Sequence, residues 1–277
     1  MPEIDIYSGL LRMSGEFQKG LSESIAYATG RTNLSKQYPI AENDKGDSDM
    51  KRAVAMLAFI SDNMFHNGSV SLKAGDSARD IMDYSFAKGR ERGVNCMALS
   101  SALTECLAEI GIPARTVFMM PASPYDADNH VVTEAWLSDK KRWIMLDPTY
   151  KLYAYSDNEP LCIMELRTRL AKQESVYFGE EAAYNGARID KDEILRYYAK
   201  DMYWFQMATE QGGKKTTKAK MLSFAPIGYD VKAARLANID FRIGKFGKSN
   251  QLLSWRNSEE KNTILYGDIG IFAKSPY

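Results

Sequence analysis

Two histidines and three cysteines in 277 residues leave few ways to build a reactive or metal-binding centre. The cysteines, Cys96, Cys106 and Cys162, are odd in number and stand at no metal-ligand spacing, so neither a disulfide framework nor a structural zinc site is indicated. No metal and no organic cofactor is implied. Apolar runs long enough to cross a bilayer are missing as well, which argues against a membrane association. The start, MPEIDIYSGLLRMSGEF, lacks the basic flank and apolar stretch of a secretory signal, so a cytoplasmic location is expected. A reducing compartment suits a working thiol.

Net charge is missing too, with 36 basic against 36 acidic residues, but the balance is uneven along the chain. Residues 211–277 hold twelve Lys and Arg against five Asp and Glu, and include GGKKTTKAK at 212–220. No nucleic-acid motif accompanies this basic end, so nucleic acid is not expected. The segment reads as a solvated loop, with at most a contact surface for an acidic partner.

What the chain does have is a hydrophobic share of 45%, enough for a sizeable core, and a clear order of periodicities. Residues 50–66 carry an apolar helical face through Ala53, Leu57, Ile60 and Met64. A weaker helix is expected from Ile4 to about Tyr27, and a polar loop over 39–49. Leu99, Ala102, Leu103, Cys106, Leu107 and Ile110 repeat at helical spacing until Gly111 and Pro113 stop the run, so that helix begins close to Cys96. Strand patterns follow at 114–120, 130–137 and 142–147, the last two joined by the turn SDKK. Helices are expected at 162–171 and 190–209, then mixed signals, then the strand-like TILYGDIGIFA at 263–273. Helices gathered before an antiparallel sheet make an α+β chain. It divides into a helical and loop segment (1–49), a core (50–175) and a C-terminal extension (176–277) packed on that core.

A thiol at a helix start lies among unpaired N–H groups at the positive end of the helix dipole, which favours its thiolate. A two-residue turn centred on Ser138 and Asp139 would set His130 directly across from Asp147, close enough for imidazole Nδ1–H to reach the carboxylate. Nucleophile, base and orienting acid are the three parts of thiol catalysis. Each residue also has an ordinary reading: a buried filler for Cys96, a satisfied strand residue for His130, a turn former for Asp147. Together, in converging order, they favour catalysis.

The segments GVNCMALSSALTECLAEIGIPARTV, NHVVTEAWL and RWIMLDPTY resemble the core of the transglutaminase-like superfamily, over roughly residues 50–155. The resemblance implies a papain-like α+β core with Cys96 as nucleophile, His130 as general base and acid, and Asp147 as its orienting partner. Asn95 directly before the cysteine, and Met97 and Ala98 after it, depart from the family's usual residues. Beside the backbone N–H of Cys96, the Asn95 side chain or the FHNG segment with His66 could supply a second oxyanion donor. Trp136 and Trp143 could wall the site, with Glu134 as a solvated rim carboxylate. Cys106 reads as buried, and Cys162 has no identifiable partner.

The implied function is a cysteine-dependent hydrolase, a peptidase or amidase, acting on a peptide or amide-bearing substrate through a thioester. Alternatives are an acyltransferase of transglutaminase or arylamine N-acetyltransferase type, and a non-catalytic peptide-binding module on the same fold.

Overall fold

Helix Cys96–Glu109 stands where its apolar spacing puts it. Asn95 caps it, the side-chain oxygen accepting the Ala98 N–H at 3.0 Å. Leu99, Ala102, Leu103, Cys106 and Leu107 are fully buried. They pack with Ala53, Leu57 and Ile60 of helix Asp49–Asn63, with Ile81 and Met82 of helix Ala78–Ser85, and with Ala135, Leu137, Ile144 and Leu146 of the sheet. Gly111, at φ 82°, ends the run in the left-handed conformation that glycine adopts without strain. The computed structural model describes residues 2–27, 33–70, 77–212 and 219–277. Most of the basic segment, 213–218, lies outside the described residues.

Strands occur at Ala114–Met120, His130–Leu137 and Arg142–Asp147, as the alternation indicates. The main sheet runs 265–266, 221–224, 204–208, 114–120, 130–137, 142–147, 152–156, 159–160, with 177–178 also beside 152–156. Its pairs are antiparallel except 221–224 with 265–266, so the sheet is mixed and the class is α+β. The face opposite the cysteine helix carries Val132 and Met145, packed with Leu166 of helix Ile163–Lys172, Tyr198 of helix Lys191–Asp201, and Phe272. Helix Pro2–Met13 lies against those two helices. No helix among the described residues is long and apolar enough to cross a membrane.

Several elements differ from the sequence expectation, each for a tertiary reason. The N-terminal helix ends at Met13, and the chain to Tyr27 runs extended, its N–H groups at Gln18, Leu21 and Ala26 donating to Ala225, Tyr266 and Thr209 carbonyls. A Cβ at Gly20 would lie 2.3 Å from the Tyr266 oxygen, so this close passage requires glycine. Residues Ile40–Asn43, expected as loop, form one helical turn that buries Ile40. The helix expected over 190–209 stops at Asp201, because Trp204–Ala208 is captured between strands 114–120 and 221–224. In the strand-like 263–273 Leu265–Tyr266 pairs as a strand, Gly267 adds a single bridge to Leu21, and Ile269–Phe272 is a 3-10 turn. Helices Val231–Phe246 and Asn250–Lys261 went unforeseen because their buried faces are sparse: Val231 and Ile239 in the first, and Glu259 in the second.

Glu134 is no rim carboxylate. It is fully buried, 2.6 Å from the equally buried Arg115, and its other oxygen accepts the Ile163 N–H at 2.9 Å. Arg115 also donates to the Ile271 and Phe272 carbonyls and lies 3.9 Å over the Trp143 ring, tying the C-terminal segment to the sheet. Trp136 and Trp143 pack on each other, ring centroids 5.5 Å apart, and the Trp143 indole donates to the Lys274 carbonyl. Trp136 lies six residues along the strand from His130, about 20 Å at the usual rise, so the two tryptophans belong to this anchor and not to the thiol.

Candidate active site

The turn between the histidine and aspartate strands holds four residues, not two: Leu137 pairs with Arg142 and Thr133 with Leu146, with Lys141 at φ 52° closing the loop. His130 is therefore not directly across from Asp147. The register is displaced by two residues, which preserves the face on which each side chain points, and the pair becomes a diagonal one still within side-chain reach. His130 Nε2 lies 2.6 Å from Asp147 Oδ2. The bonded nitrogen is Nε2 and not the expected Nδ1, leaving Nδ1 for the thiol.

Asp147 is fully buried and well supplied with donors. Oδ2 accepts the Tyr198 hydroxyl at 2.6 Å, and Oδ1 accepts the Thr149 N–H at 2.9 Å. Burial pushes its carboxyl upward, but the His130 charge and hydrogen bond, with the hydrogen bonds from the Tyr198 hydroxyl and the Thr149 N–H, hold it below the ordinary range.

The segment before Cys96 pairs with the one after helix Asp49–Asn63. Val94 N–H donates to Phe65 O at 2.9 Å and Asn67 N–H to Val94 O at 2.8 Å, a parallel bridge that lays His66 beside the helix start. A Cβ on Gly93 would come 2.8 Å from Asn67 Cβ, so the approach depends on glycine there. The imidazoles of His130 and His66 both act on the Cys96 thiol. Burial alone would raise its pKa, but the two rings outweigh burial and bring it down to about 6. His130 moves the other way: burial would lower it, yet the Asp147 charge and hydrogen bond and the contact with Cys96 raise it well above the usual imidazole value. Cys96 and His130 thus favour the thiolate–imidazolium form. The other thiols do not compete, since burial pushes Cys106 far up and Cys162 up to about 12.

His66 is held in turn by a short hairpin, Ala183–Tyr184 with Ala187–Arg188. Its Nδ1 lies 3.0 Å from the Tyr184 hydroxyl, and Asn185 grips its backbone from both sides, accepting the His66 N–H at 2.7 Å and donating to its carbonyl at 3.0 Å. The remaining ring nitrogen, Nε2, is left for Cys96. Tyrosines complete the surround: Tyr150, Tyr197 and Tyr198 lie 5.3 to 6.1 Å from the His130 ring, and Tyr184 lies 5.6 Å from both Tyr150 and His66. Tyr150, Tyr184 and Tyr197 front a cavity of about 620 Å³ that His66, Asp128 and Lys200 also line.

The structure therefore brings Cys96, His130, Asp147 and His66 together and leaves Trp136 elsewhere. Asn95 adjoins the thiol in sequence, but its side-chain oxygen is engaged in capping the helix. Sequence reasoning missed Tyr184, Asn185, Tyr197 and Tyr198, which no local pattern sets apart; Tyr150, next to the DPT stretch, was the one with a positional hint. No group of three or more His, Cys, Asp or Glu side chains able to hold a metal occurs among the described residues.

Residues 37–148, the stretch containing Cys96, His130 and Asp147, match the model of the transglutaminase-like superfamily. Among solved structures, the chain is similar to a candidate cysteine protease from Cytophaga hutchinsonii, at 21% identity and a TM-score of 0.34 over 45% of this chain and 39% of that one. The chain thus matches about two fifths of that protein's length. No curated protein matches the sequence.

Proposed function

With a transglutaminase-like core at residues 37–148 as the premise, we propose that the protein is a cysteine hydrolase that cleaves an amide bond of a peptide-like substrate through Cys96. The observation that carries this reading is His130, whose Nε2 is fixed 2.6 Å from the buried Asp147 and whose ring lowers the pKa of the Cys96 thiol. The thiolate adds to the amide carbonyl carbon, and the C=O electron pair moves onto oxygen. The oxyanion faces the Cys96 backbone N–H and the Nε2–H of His66, whose other nitrogen is occupied by Tyr184. As the C–N bond breaks, the His130 imidazolium gives its proton to the leaving amine, and a thioester remains. His130, now neutral, takes a proton from water; hydroxide adds, the C–S bond breaks, and the acid departs. Asp147 holds the imidazole in the orientation both transfers need.

Acyl transfer to an amine is the second reading, favoured by the tyrosine-lined cavity beside His66, whose aromatic walls could seat an acceptor. One experiment tests both. Peptides bearing backbone and side-chain amides are incubated with and without a labelled primary amine, with the Cys96→Ser protein as control, and products are read by mass spectrometry. Cys96-dependent release of acid supports hydrolysis. Predominant amine exchange moves the protein to the transferases, and no Cys96-dependent product across the panel defeats both readings.

A further inference from the structure

The loop Pro121–Asn129, which leads straight into His130, is held from behind by the C-terminal part of the chain. Its carbonyls at Pro121, Ala122, Pro124 and Asp126 accept from the Trp204 indole, the Tyr229 hydroxyl and, twice, the Asn238 amide, at 2.6 to 3.1 Å. The Ala127 carbonyl accepts from Arg242. Between this loop and helices Val231–Phe246 and Asn250–Lys261 lies a cavity of about 210 Å³. An apolar cavity of about 150 Å³ is enough to hold benzene, so this one has room for a six-membered ring and a small substituent.

Its walls state what that substituent should be. Phe118, Met120, Trp204, Tyr229 and Trp255 offer apolar and aromatic surface. Of the two arginines in the lining, Arg235 is already neutralised by Glu259 at 2.7 Å. Arg242 is not: it donates Nε to the Asn238 amide oxygen at 2.9 Å and one Nη to the Ala127 carbonyl, both uncharged acceptors, and no carboxylate among the described residues forms an ion pair with it. The acids of the lining, Asp126 and Asp128, pair with Lys200 at 2.9 and 3.7 Å and act on Arg242 only through space. Burial pushes the Arg242 pKa down more than the charges of Asp128 and Asp126 pull it up, so a half-buried cation sits there without a contacting anion.

We propose that this cavity is a binding site for a small aromatic carboxylate, its ring among Trp204, Tyr229 and Trp255 and its carboxylate on Arg242. Such a ligand satisfies both features at once, since a guanidinium takes a carboxylate through paired hydrogen bonds and the indoles supply faces for the ring. Neither feature depends on Cys96 chemistry, so the site stands or falls apart from the proposed reaction.

The test is therefore made on the full-length Cys96→Ser protein, titrated with benzoate and with benzamide, its neutral counterpart, by calorimetry and tryptophan fluorescence. Saturable one-to-one binding of benzoate, about tenfold tighter than benzamide, is expected from the charge-assisted contact. Arg242→Gln should erase that preference. Because Arg242 also braces the loop, Trp255→Ala serves as the second variant; Trp255 is 39% exposed, so its truncation should leave folding intact and weaken both ligands several-fold. No saturable benzoate binding, equal affinity for acid and amide, or affinities unchanged in both variants would each overturn the proposal.

Discussion

Tyr198 and His130 share a single oxygen: the phenol O–H and the imidazole Nε2 both lie 2.6 Å from Asp147 Oδ2. The phenol comes from helix Lys191–Asp201 and the imidazole from the start of a strand, so the helix on one sheet face tunes the carboxylate that orients the proposed base. Tyr198→Phe removes one donor and leaves the carboxylate charge more fully on His130. The His130 pKa should rise further, the alkaline limb of the rate profile should move up, and turnover should fall by about tenfold. An unchanged pH–rate profile would mean that Tyr198 only fills space.

Cys96 should be the most reactive thiol. With a pKa of about 6, its alkylation by iodoacetamide should rise with pH through that value and level off by neutrality. His66→Ala and His130→Ala should each move the midpoint upward, since each ring stabilises the thiolate. Peptide mapping checks the assignment, and earlier labelling of Cys106 or Cys162 in the folded protein would contradict it.

Asp147→Asn should lower turnover by about 10³ to 10⁴-fold through loss of the imidazolium partner and the correct tautomer. It should also cost stability, because the buried carboxylate accepts three hydrogen bonds. The pH dependence has a definite sign. Asp147 is depressed in the folded state, so its contribution exists above the unfolded carboxyl value of about 3.9 and disappears as pH falls through the lower folded one. His130 is raised, so its contribution is full below the unfolded value of about 6.5 and disappears as pH climbs through the folded one. Wild type should exceed the variant most between those two unfolded values, and the gap should narrow toward alkaline pH. Denaturant titrations at pH 5, 7 and 9 measure it; a gap that widens with pH would reject the coupling.

Glu134→Gln should destabilise the protein by about 3 to 5 kcal/mol, because Arg115 would keep its charge with no room for water around it. Glu134 lies four residues, about 13 Å, along the strand from His130, so kcat of the folded fraction should stay within about twofold. Urea denaturation gives the first quantity. A loss under about 1 kcal/mol would show that the C-terminal segment is held by other contacts.

Periodicity is local, and what depended on it was readable from the residues alone: the helix from Cys96, the strands at 114–120, 130–137 and 142–147, and the common face of His130 and Asp147. That common face survived a misjudged turn because strand side chains alternate with period two and the register moved by two. Which elements meet is a different matter. His66 reaches Cys96 through a bridge to Val94, Tyr198 reaches Asp147 from 51 residues away, and Tyr184 and Asn185 reach back across 118 and 119 residues to hold His66. The strand position of Glu134 points to a rim, yet the residue is buried by an arginine and a C-terminal segment that no local pattern brings to it. Trp204–Ala208 became a strand because two neighbours stood ready to pair with it, where its own sequence continued a helix. Local sequence determined the elements that carry Cys96, His130 and Asp147 and the side on which each proposed catalytic group points. The partners that set the charge of those groups were decided by packing between distant segments, whose contact energy belongs to no single stretch of chain.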